Sequence, residues 1–251
     1  GEVKECGKYK SRQDGVKNLR KTFWRLRALI NCNVVNPQNV RWITLTYADN
    51  MQDASKLYVD FRNFNKRFQY YCNKFSYGKP EYIVVAEPQS RGAWHMHLLY
   101  IWNCSAPFIE NSVLADIWGH GFVKITKIDN NIDNIGAYLT AYLTDVELEL
   151  PPGLNIDDFN SVDEAIKVVD FEGQKKAFVK GGRLRFYPPK MNLYRFSKGI
   201  KQPDIKYLTY EEAKKNVSSA KLTFSSAIKM TDTDSDFNNI LLKEYYNMYS
   251  L

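Results

Sequence analysis

The sequence predicts an α+β fold: a central antiparallel β-sheet with helices on one face, on the plan of ferredoxin-like and RNA-recognition domains. Three observations predict it. Short segments rich in β-branched and aromatic residues alternate between faces, a long amphipathic helix lies between the first two, and the element order is that of a split βαβ unit. After a leading helix the order runs strand, helix, strand, strand, helix, strand, helix.

Residues 11–31 form the leading helix. Val16, Leu19, Phe23, Leu26 and Ile30 recur at three- and four-residue spacing among basic residues. The run Val40-Arg41-Trp42-Ile43-Thr44-Leu45-Thr46-Tyr47 is the first strand, closed by Ala48-Asp49-Asn50. A long helix follows, with Leu57, Phe61, Phe64, Phe68, Tyr71 and Phe75 on one stripe, and Gly78 and Pro80 end it. Strands at 81–87 and 94–101 flank the loop Pro88-Gln89-Ser90-Arg91-Gly92-Ala93. A short helix near 109–117, a strand near 121–128 and a helix near 131–144 complete a core within residues 1–150. Residues 151–251 form an extension packing on or beside that core, as DNA-binding or scaffold structure. Its weaker pattern gives strands near 177–187 and 219–229 and helices near 209–217 and 237–249.

Composition narrows the function. Hydrophobic residues at 44% are those of a globular chain. Runs such as Tyr82-Ile83-Val84-Val85-Ala86 are far too short to cross a bilayer. The chain opens at Gly1 without methionine, as a trimmed chain would, and shows no signal-peptide pattern. Cys6, Cys32, Cys72 and Cys104 are scattered, without zinc-gripping spacing, and read as reduced thiols of a cytoplasmic protein. The net charge of +7 is unevenly spread. Residues 1–80 carry 16 Lys or Arg against 6 acids, and residues 173–230 carry 14 against 3. Residues 145–172 carry 9 acids and one lysine. Two basic regions split by an acidic one suggest a polyanion-binding surface built from both ends of the chain. Solvated lysine is the plain alternative.

In strand 94–101, Trp94, Met96, Leu98 and Tyr100 share one face, and His95 and His97 share the other. Two of the three histidines therefore point the same way. Glu87, eight residues before His95, ends the preceding strand. If 88–93 is a hairpin loop, Glu87 lies across from them. Two imidazoles and a carboxylate then bind one face of a metal ion and leave its other positions open. Downstream, Tyr138 and Tyr142 are one helical turn apart, on the flank of a stripe made by Ile132, Ile135, Leu139 and Leu143. Histidines on a strand and tyrosines on a stripe edge also occur as ordinary structural residues.

Glu87-Pro88-Gln89-Ser90-Arg91-Gly92-Ala93-Trp94-His95-Met96-His97 resembles the histidine–hydrophobic–histidine motif of the HUH endonuclease superfamily. Trp42-Ile43-Thr44-Leu45-Thr46-Tyr47 looks like that superfamily's first motif, and Tyr138/Tyr142 fall where its nucleophile helix belongs. Together the motifs span about residues 40–145, and the likeness is to rolling-circle replication initiator (Rep) proteins of Gram-positive plasmid and phage type. Many of these nickases carry a lysine three residues after the nucleophile, where this chain has Ala141 or Asp145. His120 fits no motif and reads as structural or solvent-facing.

The resemblance implies an HUH endonuclease fold and a metal-dependent, site-specific DNA nickase and strand transferase. Glu87, His95 and His97 would hold Mn2+ or Mg2+. Tyr138, or alternatively Tyr142, would attack the DNA, leaving a 5′-phosphotyrosine bond and a free 3′-hydroxyl primer. Single-stranded or extruded origin DNA would be gripped by Arg41, Thr44, Thr46, Arg91, Lys124 and Lys127, with Lys190, Arg195, Lys198 and Lys201 adding phosphate contacts. No Gly-x-x-x-x-Gly-Lys-Ser/Thr loop occurs, so replication would draw on a host helicase and polymerase. An HUH transposase or relaxase shares the chemistry. A non-catalytic RNA-recognition-like module shares only the sheet and the charge. Non-haem iron oxygenases use the same ligand set, but on a jelly roll of many short strands that the sequence does not show.

Overall fold

The computed structural model describes residues 16–89, 92–128, 135–136, 140, 146–147, 166–171, 174–179, 183, 186–188, 190–231 and 238–248. Helix α1 (Val16–Asn33) precedes strand β1 (Val40–Tyr47), helix α2 (Ala54–Lys74), strands β2 (Glu81–Pro88) and β3 (Trp94–Ile101), helix α3 (Asn111–Trp118) and strand β4 (Gly121–Thr126). With β8 (Tyr194–Phe196) these strands form a five-stranded sheet in the order β4-β1-β3-β2-β8, antiparallel at every pairing. This is the predicted α+β architecture.

Helices α2 and α3 lie on one face. The Asp53 side chain accepts from Ser55 N–H at 2.8 Å and starts α2. Its apolar stripe buries Leu57, Phe61, Phe64 and Phe68. Phe68 packs on Tyr100 of β3 with ring centroids 4.6 Å apart, and Phe61 meets Tyr82 of β2 at 5.0 Å. Each buried phenylalanine contributes roughly 1.5–3 kcal/mol. Helix α3 inserts Trp118, fully buried, between Phe64 and Tyr47, and the indole N–H donates to Thr46 O at 3.0 Å. Gly119 then takes the left-handed conformation (φ 70°) and ends the helix.

On the opposite face, Tyr194 and Phe196 of β8 line a cavity of about 280 Å³ with Trp24, Ala28 and Leu29 of α1. Leu26, Leu29 and Ile30 of α1 join the same buried cluster as the sheet. Ile135, Gly136 and Thr140 are helical, as expected within 131–144, and dock on α1. Gly136 N–H donates to Asn31 Oδ1 at 2.8 Å, and Arg27 Nε to Thr140 Oγ1 at 2.8 Å. A Cβ on Gly136 would meet Arg27 O at 2.6 Å, so only glycine permits this approach.

The C-terminal region holds strand where the sequence suggests helix. Residues 237–249 are expected to be helical, yet Asn238–Asn247 is strand β10, paired antiparallel with β9 (Lys221–Thr231). The aliphatic and aromatic residues of Ile240-Leu241-Leu242 and Tyr245-Tyr246 suit a strand, and the partner strand overrides the helical spacing. A third sheet joins β5 (Val146–Glu147), β7 (Gln174–Val179) and β6 (Ile166–Phe171) in the order β5-β7-β6. The strand expected at 177–187 thus lies earlier, while Phe186 closes a turn on Arg183 O at 3.0 Å. The helix expected at 209–217 is Tyr210–Asn216, opened by a Thr209/Glu212 capping box. Among the described residues, no helix is long and apolar enough to cross a membrane.

Candidate metal and nucleic-acid site

Residues paired across antiparallel strands point to the same face. In β3 that face carries His95 and His97, while Trp94, Met96, Leu98 and Tyr100 are buried on the other. Glu87 pairs with His95 across β2, and Thr46 pairs with His95 and Thr44 with His97 across β1. Glu87, His95, His97, Thr44 and Thr46 therefore share one face of the three central strands.

The Glu87 carboxylate is buried, and its Oε2 contacts His97 Nε2 while its Oε1 accepts from Arg183 Nη1. Burial alone would raise the Glu87 carboxyl. His97 above all, then Arg183 and His95, outweigh that and hold it below the usual carboxylate value. At the other edge of the His97 ring, Nδ1 lies 3.2 Å from Trp42 Nε1 and 3.2 Å from Thr44 Oγ1. The indole nitrogen can only donate, so His97 Nδ1 accepts and Nε2 carries the proton given to Glu87. That makes His97 a neutral imidazole fixed in one tautomer.

Whether these residues suit a divalent ion turns on the donor set. Two imidazoles and one carboxylate, in register on one face, are a fitting set for manganese or magnesium-type chemistry. Among the described residues, however, no group of three or more His, Cys, Asp or Glu side chains is spaced to share one ion. Glu87 and His97 contact each other directly, and an ion would have to separate them.

The other expected DNA contacts are spread out. Lys124 pairs with Thr44 across β4, on the same face as His97 and exposed, two strands away or about 10 Å. Lys127 is exposed just beyond β4. Arg41 pairs with Tyr100 and so belongs to the other face. Its guanidinium binds the carbonyls of Ala106 and Val40, the latter at 2.9 Å, and it is not brought to the site. Arg91, Tyr138 and Tyr142 lie outside the described residues. Thr140, between the tyrosines, is buried and donates to Gly136 O at 2.8 Å. His120 packs against Trp118, with ring centroids 4.8 Å apart, on the α2/α3 side, and takes no part in the cluster.

Sequence reasoning missed Trp42 and Arg183. Trp42 shares the alternation of Thr44 and Thr46, so the strand period could have placed it on the histidine face. Arg183 is one of 14 basic residues in 173–230, and nothing in its spacing marks it.

Compared with known families, residues 40–147 match the model of the Replication-associated protein ORF2 family. The match covers β1 to β5 and includes both histidines and Glu87. Comparison with curated proteins and with solved structures gave no match.

Proposed function

Residues 40–147 form a domain of the replication-associated ORF2 family, a family of rolling-circle replication initiators, and from this premise we propose that the chain nicks its origin DNA. Replication initiation in general follows from the family. The nicking chemistry is our reading, and the observation that carries it is the shared face of Glu87, His95 and His97.

A free tyrosine has a pKa of roughly 10 and is a poor nucleophile at neutral pH. The reaction proposed is attack by a tyrosine hydroxyl, Tyr138 or Tyr142, on a DNA phosphodiester. The phenol oxygen bonds to phosphorus, the bond to the 3′-oxygen breaks, and the phenolic proton is lost while the 3′-oxygen gains one. The protein is left with a 5′-phosphotyrosine, and the DNA with a 3′-hydroxyl primer. Reversal by another hydroxyl rejoins a strand without ATP. Glu87, His95 and His97 would hold Mn2+ or Mg2+, which supplies Lewis acidity to the phosphate. Trp42 and Thr44 set the orientation of the His97 ring. Ile135, Gly136 and Thr140 fix the chain on either side of Tyr138 against α1.

Lys124 and Lys127 supply positive charge for single-stranded or extruded origin DNA. Primer extension would fall to a host helicase and polymerase. The test is a covalent-adduct assay with origin DNA, in Mn2+ and in chelator. A metal-dependent adduct lost in one tyrosine variant supports the reading, and tight binding without any adduct replaces it with a binding module.

A further inference from the structure

We propose that Arg183 is a phosphate-binding residue of this site, which exchanges the Glu87 carboxylate for a DNA phosphate when a divalent ion takes Glu87. The inference rests on the nickase reading above and adds a substrate contact from beyond the family-matched segment 40–147.

The first support is placement. Arg183 Nη1 donates to Glu87 Oε1 and approaches Pro88 O at 3.4 Å. Its side chain keeps 20% exposure and the His97 side chain 15%, while Glu87 keeps 7%. The guanidinium and the imidazole thus reach the surface around a more deeply buried carboxylate. A phosphate approaching His97 from solvent meets Arg183 as well.

The second support is anchoring. Tyr187, four residues on, is fully buried, and its hydroxyl donates to Ala86 O at 2.9 Å, one residue from Glu87. Its ring meets Trp94 edge-on at 6.0 Å. Ala86 N–H donates to Leu193 O at 2.9 Å, and Tyr58 OH to Asn192 O at 2.7 Å. Both sides of the Arg183–Tyr187 turn are therefore tied to β2 or α2, and the guanidinium is held at the site by the fold.

The third support is charge and shape. An arginine cannot shed its proton, and a partly buried cation without an anion is costly. Carboxylate and phosphate offer the guanidinium the same paired-oxygen geometry. An ion bound at Glu87 withdraws the carboxylate charge, and a phosphate oxygen is the group that restores the pairing.

The test uses the full chain and a labelled single-stranded oligonucleotide of origin sequence, followed by fluorescence anisotropy over a salt series, in Mn2+ and in chelator. Mn2+ affinity is measured separately without DNA, by electron paramagnetic resonance of the free ion. Arg183→Gln is expected to weaken DNA binding in Mn2+ about tenfold. It should also lower the salt slope by roughly 0.7. The loss should shrink in chelator, and Mn2+ affinity without DNA should hold or rise. Arg183→Lys, which keeps the charge and most of the packing, should keep the salt slope and lose only part of the affinity. Unchanged DNA binding in both variants overturns the proposal. So does a loss confined to Mn2+ affinity without DNA, which would make Arg183 a support for Glu87 alone. Because the assay reads binding, a wild-type protein that forms no adduct refutes the nickase reading without deciding this one.

Discussion

The indole N–H of Trp42 donates to Nδ1 of His97 across 3.2 Å, and so decides which ring nitrogen of His97 carries the proton. With Nδ1 accepting, Nε2 is protonated and turned to Glu87. A metal ion on Nε2 requires the other tautomer, whose Nδ1–H needs an acceptor. Thr44 Oγ1, also 3.2 Å from Nδ1, can accept; the indole cannot.

Thr44→Val should therefore weaken Mn2+ binding by about 10–100-fold, the range for partners that orient a histidine ligand. Trp42→Phe removes the competing donor and should bind Mn2+ at least as tightly as wild type. Titration of both variants without DNA checks this. Weaker binding in Trp42→Phe than in Thr44→Val would reverse the assignment.

Gly121 opens β4 with φ 148°, and a Cβ there would lie 2.4 Å from Ala48 N and 2.6 Å from Thr46 O. Both atoms are backbone and cannot move aside. Gly121→Ala should cost about 1–3 kcal/mol or more, read from the urea midpoint. It should also loosen the β1–β4 pairing that places Lys124 beside Thr44.

The Tyr187 hydroxyl bonds Ala86 O inside the core. Tyr187→Phe leaves that contact unmade and should destabilise the chain by roughly 1 kcal/mol in urea unfolding. Amide exchange should rise near Ala86. Unchanged exchange there would show that the hydroxyl does not pin β2.

Burial raises the phenols of Tyr47, Tyr58, Tyr100 and Tyr187 above their ordinary value, with Asp60 adding to the effect at Tyr47. Below about pH 10 both folded and unfolded chains keep these protons. Above it the unfolded chain loses them first, binds fewer protons than the folded chain, and is favoured. Stability should fall as pH rises past about 10, seen as a lower urea midpoint at about pH 11 than at about pH 8. A level midpoint would contradict the burial of these rings.

Most of the central sheet was legible because its signals are local. The alternation in Val40–Tyr47 and Trp94–Ile101 gives strand and face together, and the Phe61–Phe64–Phe68 stripe gives α2. The candidate metal ligands were legible for the same reason, being fixed by period-two spacing and one hairpin. Strand β8 is three residues long, too short to show a period, and its place beside β2 depends on contacts more than 100 residues apart. Strand β10 misled because its apolar residues satisfy either period until the partner β9 decides. Arg183 meets Glu87 across 96 positions, a contact that only the folded chain creates.

The most direct test of the central claim is the covalent adduct itself. Protein mixed with single-stranded origin DNA should give a shifted band on a denaturing gel in Mn2+ and none in chelator. The band should disappear in Tyr138→Phe or in Tyr142→Phe, and in His97→Ala. Folded protein that binds the same DNA tightly, yet forms no adduct in Mn2+ or Mg2+, would contradict the account.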